Sequence, residues 1–409
     1  MSRLERLDRK EAKRNREQAR KRDRKTSRKL IRQNGLTNLA GTLFGGFDYA
    51  VLIMVFVLSI FGMAMVFSAG YYTTVSEEAG PLFYLRRQAM WVFSGFLIMA
   101  WVAHYDYHKY SKFANALMAI SIGLLIAVLL VGQTINGATR WLGIGSFRIT
   151  PSEFSKVFMI IFTSCYLVAN PNAVKEREGL LVLTVVMIAH VGLIIKQPNL
   201  STAIVIALIM VAIVFVAGLD YKYIGVLIGA FAVGLFVILN FMKDSHWYAR
   251  LTNWIDPFAD AQGEGYQVSQ SIIALGNGGL KGLGFGKSIS KNLYLPEPTN
   301  DFILAIIGEE LGYIGFLFLM IAYIFLLFRL ILIALRAKDS LGFYLATGVA
   351  VMLGLQVIIN VAVVTASMPA TGITLPFISY GGASIWAFMM AMGIALNVSR
   401  KERPRGNTR

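Results

Sequence analysis

Charge is scarce in this sequence: 15% of its 409 residues are charged against 56% hydrophobic, and the mean hydropathy is +0.60. That balance excludes a soluble enzyme and reads as a polytopic membrane protein. Cysteine is nearly absent, and the lone Cys165 cannot close an intrachain disulfide, so no redox compartment follows from it. Acidic residues are also few, 23 against 39 Lys and Arg, which leaves a net charge of +16. Such an excess would suggest a nucleic-acid partner if it were spread over the fold. It is not: residues 1–47 carry 15 basic and 5 acidic residues and residues 399–409 carry 5 and 1, so the tails hold +14 of the +16. Positive charge confined to tails that flank membrane spans reads as topology and attraction to anionic lipid, with no nucleic acid implied. The first 35 residues also lack the apolar core and small-residue cleavage site of a signal peptide. They are expected to remain as a basic, low-complexity tail, disordered or a fraying helix.

What is present in quantity is apolar run. Ten spans are predicted: one following Asp48 to residue 67, then 90–103, 113–132, 154–168, 180–195, 200–218, 224–242, 302–328, 343–365 and 383–398. Most are near the roughly 20 residues that a bilayer core requires, although the fourth and fifth are interrupted or short enough to miscount. The expected fold is therefore an all-α polytopic membrane protein with ten transmembrane helices. Its domain order is a basic tail at 1–47, a membrane domain at 48–398 and a basic tail at 399–409. An even span count puts both tails on one side, and placing them in the cytoplasm puts 28 of the 39 Lys and Arg there. The large loop between spans 7 and 8, residues 243–301, is then extracellular. The 11 basic residues left on the outer side, Lys281, Lys287 and Lys291 among them, suit either an anionic ligand or lipid headgroups.

Several motifs fail for want of a residue. Gly286-Lys287-Ser288 imitates the end of a phosphate-binding loop, but position 281 is Lys where that loop needs Gly, and Lys287 likewise breaks a GxGxxG match. His104 and His108, spaced i,i+4, have no evident third metal ligand and read as anchors at a membrane boundary. His190, within an apolar span, reads as a helix-contact residue rather than a proton relay.

The polar residues that survive gather at the outer face. Tyr84, Arg86, Arg87 and Gln88 are expected in the loop joining the first two spans. The stretch NGATRWLGIGSFRITPSEFSK places Arg140 and Arg148 in a loop and Glu153 and Lys156 at a helix start marked by Pro151 and Ser152. Glu153 and Lys156, i,i+3, share a face: either they form a simple ion pair, or Lys156 and Arg140 hold a phosphate-bearing substrate while Glu153 orients one of them. Asp301 stands where PEPTN yields to the eighth span. It suits a helix N-cap and, equally, a partly desolvated general base. Glu309, in a continuous helix, would lie roughly 12 Å deeper and turned about 80° from Asp301, with Glu310 facing the opposite way. Both glutamates are therefore expected to pair within the bundle.

NGATRWLGIGSFRITPSEFSK, QPNLSTA at 197–203, GYQVSQSIIALGNGGLKGLGFGKS, YLPEPTNDFILAIIGEELGYIG and TGITLPFISYGGAS together resemble the SEDS family of shape, elongation, division and sporulation proteins. The motifs run in order across all but the tails. YLPEPTNDF, TLPFISYGG and the long basic amino-terminal tail are more similar to the division branch than to the elongation branch. The resemblance implies a peptidoglycan glycosyltransferase that polymerises lipid II at the outer face of the bacterial cytoplasmic membrane, at the division septum. It implies a class B penicillin-binding protein and other division-complex membrane proteins as partners, and leaves room for a divalent cation. The family's loop aspartate falls on Asp301, although Thr299 is displaced by one position from the family's TDF. Its other polar residues fall on Arg87, Gln88, Arg140, Glu153 and Lys156. Asn199 and Ser201 replace Asp and Gly of the family's QPDLGT, which puts in doubt any role needing a carboxylate at 199. A lipid II flippase or transporter and a non-catalytic division scaffold are the competing functions.

Overall fold

The computed structural model describes residues 46–76, 80–135, 137–144, 147–241, 248, 251, 254–259, 263, 265–292 and 294–400. The expected tails and much of 242–264 lie outside the described residues. The chain divides into two units, of which the first, Asp48–Ser399, holds nearly all of the described residues.

The first unit is a helical bundle: α1 Tyr49–Ser76, α2 Phe83–His104, α3 Ala114–Val131, α4 Pro151–Ala169, α5 Arg177–Ile195, α6 Leu200–Val216, α7 Tyr221–Phe241, α8 Tyr266–Gly278, α9 Ile303–Leu335, α10 Ser340–Val364 and α11 Gly382–Ser399. Every predicted span falls on one of these, and α8 lies in the large loop. Among the described residues seven helices, α1, α3, α4, α5, α9, α10 and α11, are long and apolar enough to cross a membrane. Of the others, α6 has only 17 residues, and α2 carries Arg86, Arg87 and Gln88 in its first two turns. These three are thus helical rather than in a loop, because the helix starts seven residues before the apolar run does. Between α3 and α4 a small antiparallel sheet, β1 Gln133–Ile135, β2 Ala138–Ile144 and β3 Phe147–Ile149, replaces the expected loop and carries Arg140 and Arg148.

Two departures from regular spans shape the site. The first is a break in α9, where Gly312 has φ 68° and ψ −170°. The positive φ favours glycine, and a Cβ there would strike the Gly282 N, while a Cβ at Gly282 would strike the Glu310 carbonyl. The glycine-rich stretch is therefore not a phosphate cradle but a close backbone pairing: Leu283 N and Gly284 N donate to the carbonyls of Glu309 and Glu310, and Tyr313 N and Ile314 N donate to those of Gly279 and Leu280. Residues 303–310 are all buried, whereas from Tyr313 onward α9 exposes an apolar face. About 23 residues after the break span roughly 34 Å, enough to cross alone.

The break corrects the expected depth of the glutamates. Thr299 Cγ2 lies against Gly70 of α1, and Glu310 Oε1 accepts from Ser68 Oγ of the same helix at 2.6 Å, so 303–311 runs across α1 more than along it. Glu310 thus bonds to a neighbouring helix, as expected, but most partners of the two glutamates lie in the loop. Glu310 pairs with Lys291 of the loop at 2.8 Å and accepts from Gly286 N at 3.0 Å. Glu309 accepts from Ser288 Oγ, from Ser290 N at 3.1 Å and from Asn277 Nδ2 at 3.3 Å. They fasten the loop to the broken helix, and Lys291, 2% exposed, is committed to this buried network rather than to an anionic ligand.

The second departure is the 366–381 connection between α10 and α11, which dips into the bundle. Leu375, Phe377 and Ile378 are buried, Tyr323 of α9 donates its hydroxyl to Pro376 O, and Phe377 O and Ile378 press on Gly62 about halfway along α1. Away from the site, His190 bonds Ser121 Oγ at 3.1 Å and Val186 O at 3.0 Å, the expected helix contact. His104 bonds Ala100 O at 2.8 Å, and His108 bridges Asp106 and Asp339 at 2.7 and 3.0 Å.

Candidate active site

Asp301 precedes Phe302, which holds the N-cap position of α9 without a side-chain cap, so capping is not what Asp301 does. Among the described residues its carboxylate accepts no hydrogen bond. Its backbone, by contrast, is firmly held. Asn360 Nδ2 donates to Asp301 O at 2.8 Å and to Ile373 O at 2.7 Å. Ser379 Oγ donates to Asn300 O at 2.7 Å, and Tyr380 N donates to Thr299 O at 2.9 Å. The dipping loop and α10 thus grip the 299–301 turn from two sides and leave the side chain free.

Arg140 reaches this carboxylate from β2. Its Nε donates to Gln197 O at 3.2 Å and its Nη2 to Pro198 O, while Gln197 Nε2 donates to Leu125 O of α3 at 3.0 Å. At Gly372 (φ +70°) a Cβ would stand 3.2 Å from Asp301 Oδ2 and 4.0 Å from Arg140 Nη1, so one glycine keeps open the space that the two groups share. Ser201 Oγ donates to Thr371 O at 2.9 Å, steadying that glycine from α6, and Asn199 Oδ1 accepts from Thr202 N at 3.3 Å as the cap of α6. A cap needs no carboxylate, so the exchange of Asp for Asn at 199 is compatible with this role.

Glu153 and Lys156 form the expected i,i+3 pair at 2.8 Å on α4, whose first residue is Pro151. Lys156 is 2% exposed, and its Nζ also donates to Gln356 Oε1 of α10 at 2.7 Å. Gln356 and Asn360 lie one turn apart on one face of α10, so this helix serves Lys156 with one residue and Asp301 with the other. Sequence reasoning missed both, although two amides at i,i+4 inside an apolar span were the available signal. Gln88 is buried and acts on the dipping loop, its Nε2 donating to Ser379 O at 3.2 Å. Arg87 lies with its guanidinium 4.5 Å over the Phe83 ring. The structure therefore brings Arg140 and Glu153 to Asp301, ties Lys156 to Glu153, places Gln88 behind the loop and leaves Arg87 on α2.

Burial pushes the Asp301 carboxyl up to about 7; the charge of Glu297 adds to the rise, Arg140 opposes it, and Glu153 adds a smaller increment. A held, unbonded carboxyl that exchanges its proton near neutrality has the properties of a general base. Around it, Gln197 Oε1, Asn360 Oδ1 and Thr371 Oγ1 are buried with no hydrogen-bond partner among the described residues, unmet capacity that a polar ligand would satisfy. Among the described residues no group of three or more His, Cys, Asp or Glu is placed to hold a metal ion.

Comparison with known proteins accords with this geometry. Residues 49–404 match the FtsW, RodA and SpoVE family, described as cell cycle proteins. Stage V sporulation protein E of Bacillus subtilis (strain 168) is 38% identical over 359 residues, covering 87% of this chain and 98% of that one. "Probable peptidoglycan glycosyltransferase FtsW" of Geobacter sp. (strain M18) is 35% identical over 361 residues, covering 88% and 98%. A solved chain from a study of how a peptidoglycan synthase complex coordinates polymerization and crosslinking superposes with a TM-score of 0.71 at 29% identity, covering 86% of this chain and 97% of that chain. The bundle, the broken helix and the gripped aspartate are thus those of a chain that belongs to the FtsW, RodA and SpoVE family.

Proposed function

We propose that this protein is a peptidoglycan glycosyltransferase that polymerises lipid II at the outer face of the bacterial cytoplasmic membrane, in septal wall synthesis. The observation that carries this reading is the half-buried Asp301 carboxyl, unbonded and poised near neutrality beside the Arg140 guanidinium. Asp301 takes the proton from the 4-hydroxyl of the acceptor's terminal GlcNAc. The freed oxygen forms its bond to C1 of the donor MurNAc from the face opposite the leaving group, so the configuration inverts. The C1–O bond breaks, and undecaprenyl pyrophosphate departs with the electron pair. Arg140 offers charge-assisted hydrogen bonds to that anion. Lys156, neutralised by Glu153 and tied to Gln356, keeps this wall of the site in register, and Gln88 does so through the dipping loop.

Both termini are assigned to the cytoplasm, and a class B penicillin-binding protein is the expected crosslinking partner alongside other division-complex membrane proteins. The test is polymerisation of labelled lipid II by purified Asp301→Asn protein with that partner present. Asp301→Asn should abolish polymer while still binding lipid II; substantial turnover would sink the assignment. The same vesicles read the transporter alternative, since lipid translocation without polymer would favour it. Full complementation by Asp301→Asn in cells would favour a scaffold.

A further inference from the structure

In the loop between α8 and α9, residues 280–291 turn polar groups inward and apolar ones outward. Lys291 and Ser288 direct their side chains, and Ser290 its backbone N–H, to Glu309 and Glu310. The loop's large apolar side chains face outward instead, Leu280 at 71% exposure and Phe285 at 52%, with Leu283 and Ile289 also exposed. A loop lying in water would arrange these the other way, and clustered exposed apolar residues mark a surface that something covers.

We infer that residues 280–289 are an interfacial anchor that inserts Leu280, Leu283, Phe285 and Ile289 into the bilayer leaflet on the loop's own side, with Lys281 and Lys287 on phospholipid phosphates. The occupant is lipid because this surface continues one that already faces lipid. The backbone bonds from Tyr313 and Ile314 to Gly279 and Leu280 fix the loop at the point where the exposed apolar face of α9 begins, and that face runs on through Phe318 and Ile321. The charge is complementary as well: Lys281 and Lys287 are exposed, flank the apolar side chains and make no ion pair among the described residues. Long basic side chains beside apolar ones at a membrane boundary place their stems in the apolar zone and their ammonium groups at the phosphates. The anchor rests on the membrane fold alone and stands whether or not the chain polymerises glycan. Its consequence for any reaction at Asp301 is positional, since the anchored loop leads through 292–300 to that residue and sets its height above the leaflet.

The test uses the full chain, with buried Cys165 replaced by Ala, in nanodiscs of phosphatidylethanolamine and phosphatidylglycerol. A polarity-sensitive probe is attached at Leu280→Cys or Phe285→Cys. Phe318→Cys serves as the lipid standard and Asn172→Cys, on an exposed turn, as the water standard. Probes at 280 and 285 should lose at least half their emission to a lipid-borne quencher near the headgroups and be quenched by iodide several-fold less than the probe at 172. Iodide quenching equal to that at 172 would overturn the anchor. So would protection that appears only when a protein partner is added, because the face would then be a protein interface. A second measurement needs no substitution: in the same nanodiscs, a phospholipid with a photoreactive group high on its acyl chain should crosslink to the 280–289 peptide of the native chain. Labelling of the 313–325 peptide without that crosslink would also overturn it.

Discussion

If Asp301 is the base, the two charged neighbours that bear on it oppositely should move the pH profile of polymerisation in opposite directions. A base must be ionised, so the rate should fall about tenfold for each pH unit below its pKa and level off above it. With the carboxyl pushed up to about 7, the native limb lies at about that pH. Arg140 Nη1 and Asp301 Oδ2 both lie within 4.0 Å of one point, the Cβ position at Gly372. At an outer separation of about 7 Å, two unit charges interact by about 0.6 kcal/mol in a water-like dielectric and about 2.4 kcal/mol at an effective constant near 20. At about 1.36 kcal/mol per pH unit, Arg140→Met should raise the limb by about 0.4 to 1.7 units, whatever it does to the plateau. Glu297→Gln should lower it by at least as much, because Glu297 bears on the carboxyl more strongly than Arg140 does. Glutamine retains an oxygen for the Asn300 amide that Glu297 now accepts at 2.6 Å, so the turn should keep its shape. The assay is initial-rate polymerisation of lipid II in vesicles from pH 5 to 9. A flat native profile, or limbs that shift the same way in both variants, would refute the reasoning.

The same carboxyl bears on stability. Its native pKa of about 7 exceeds the unfolded value near 3.9, so the native state holds more protons between those values and loses stability as pH rises through them. Asp301→Asn should therefore melt higher than the native protein at pH 8, with the gap closing below about pH 4. In the loop network, Glu310→Gln or Lys291→Met alone should cost about 3 to 5 kcal/mol by stranding a buried charge, and the double variant should cost less than the two singly added; chemical unfolding in detergent reads both. Gly372→Ala should lower polymerisation at least tenfold, because its methyl would stand 3.2 Å from Asp301 Oδ2, and should also lower the melting temperature because its φ is positive, so its activity is read at a temperature where it remains folded. At the opposite end of α10, His108 is half-exposed between Asp106 and Asp339, whose hydrogen bonds raise its pKa against the opposing effect of burial. Its contribution to stability should be full below about pH 6.5 and fade as pH rises through its folded pKa. His108→Gln should flatten that part of a melting-temperature profile.

What the sequence made legible, and what it hid, divides along one physical line. Apolar runs report burial, so each predicted span falls on a helix of the bundle, and Asp301, Arg140, Glu153 and Lys156 stood out because charge at a membrane boundary is rare. Runs do not report direction. Residues 302–328 read as one long apolar span, yet the glycine at 312 ends the part buried in protein and begins the part with an exposed apolar face, and no hydropathy window separates those two surroundings. The same blindness hid the descent of 366–381, whose apolar TLPFISY looks like the approach to a span but fills the centre of the bundle. It also hid Gln356 and Asn360, whose amides matter only because the descending loop and the 299–301 turn arrive beside them. These misses share a cause: each depends on a chain that enters the bundle and turns back, and such a chain needs partners for its backbone that sequence spacing cannot show. That requirement also shapes the site. The amide of Asn360, the hydroxyl of Ser379 and the backbone amide of Tyr380 satisfy carbonyls in the loop and turn, and in doing so they fix the backbone that carries the unbonded Asp301 carboxyl.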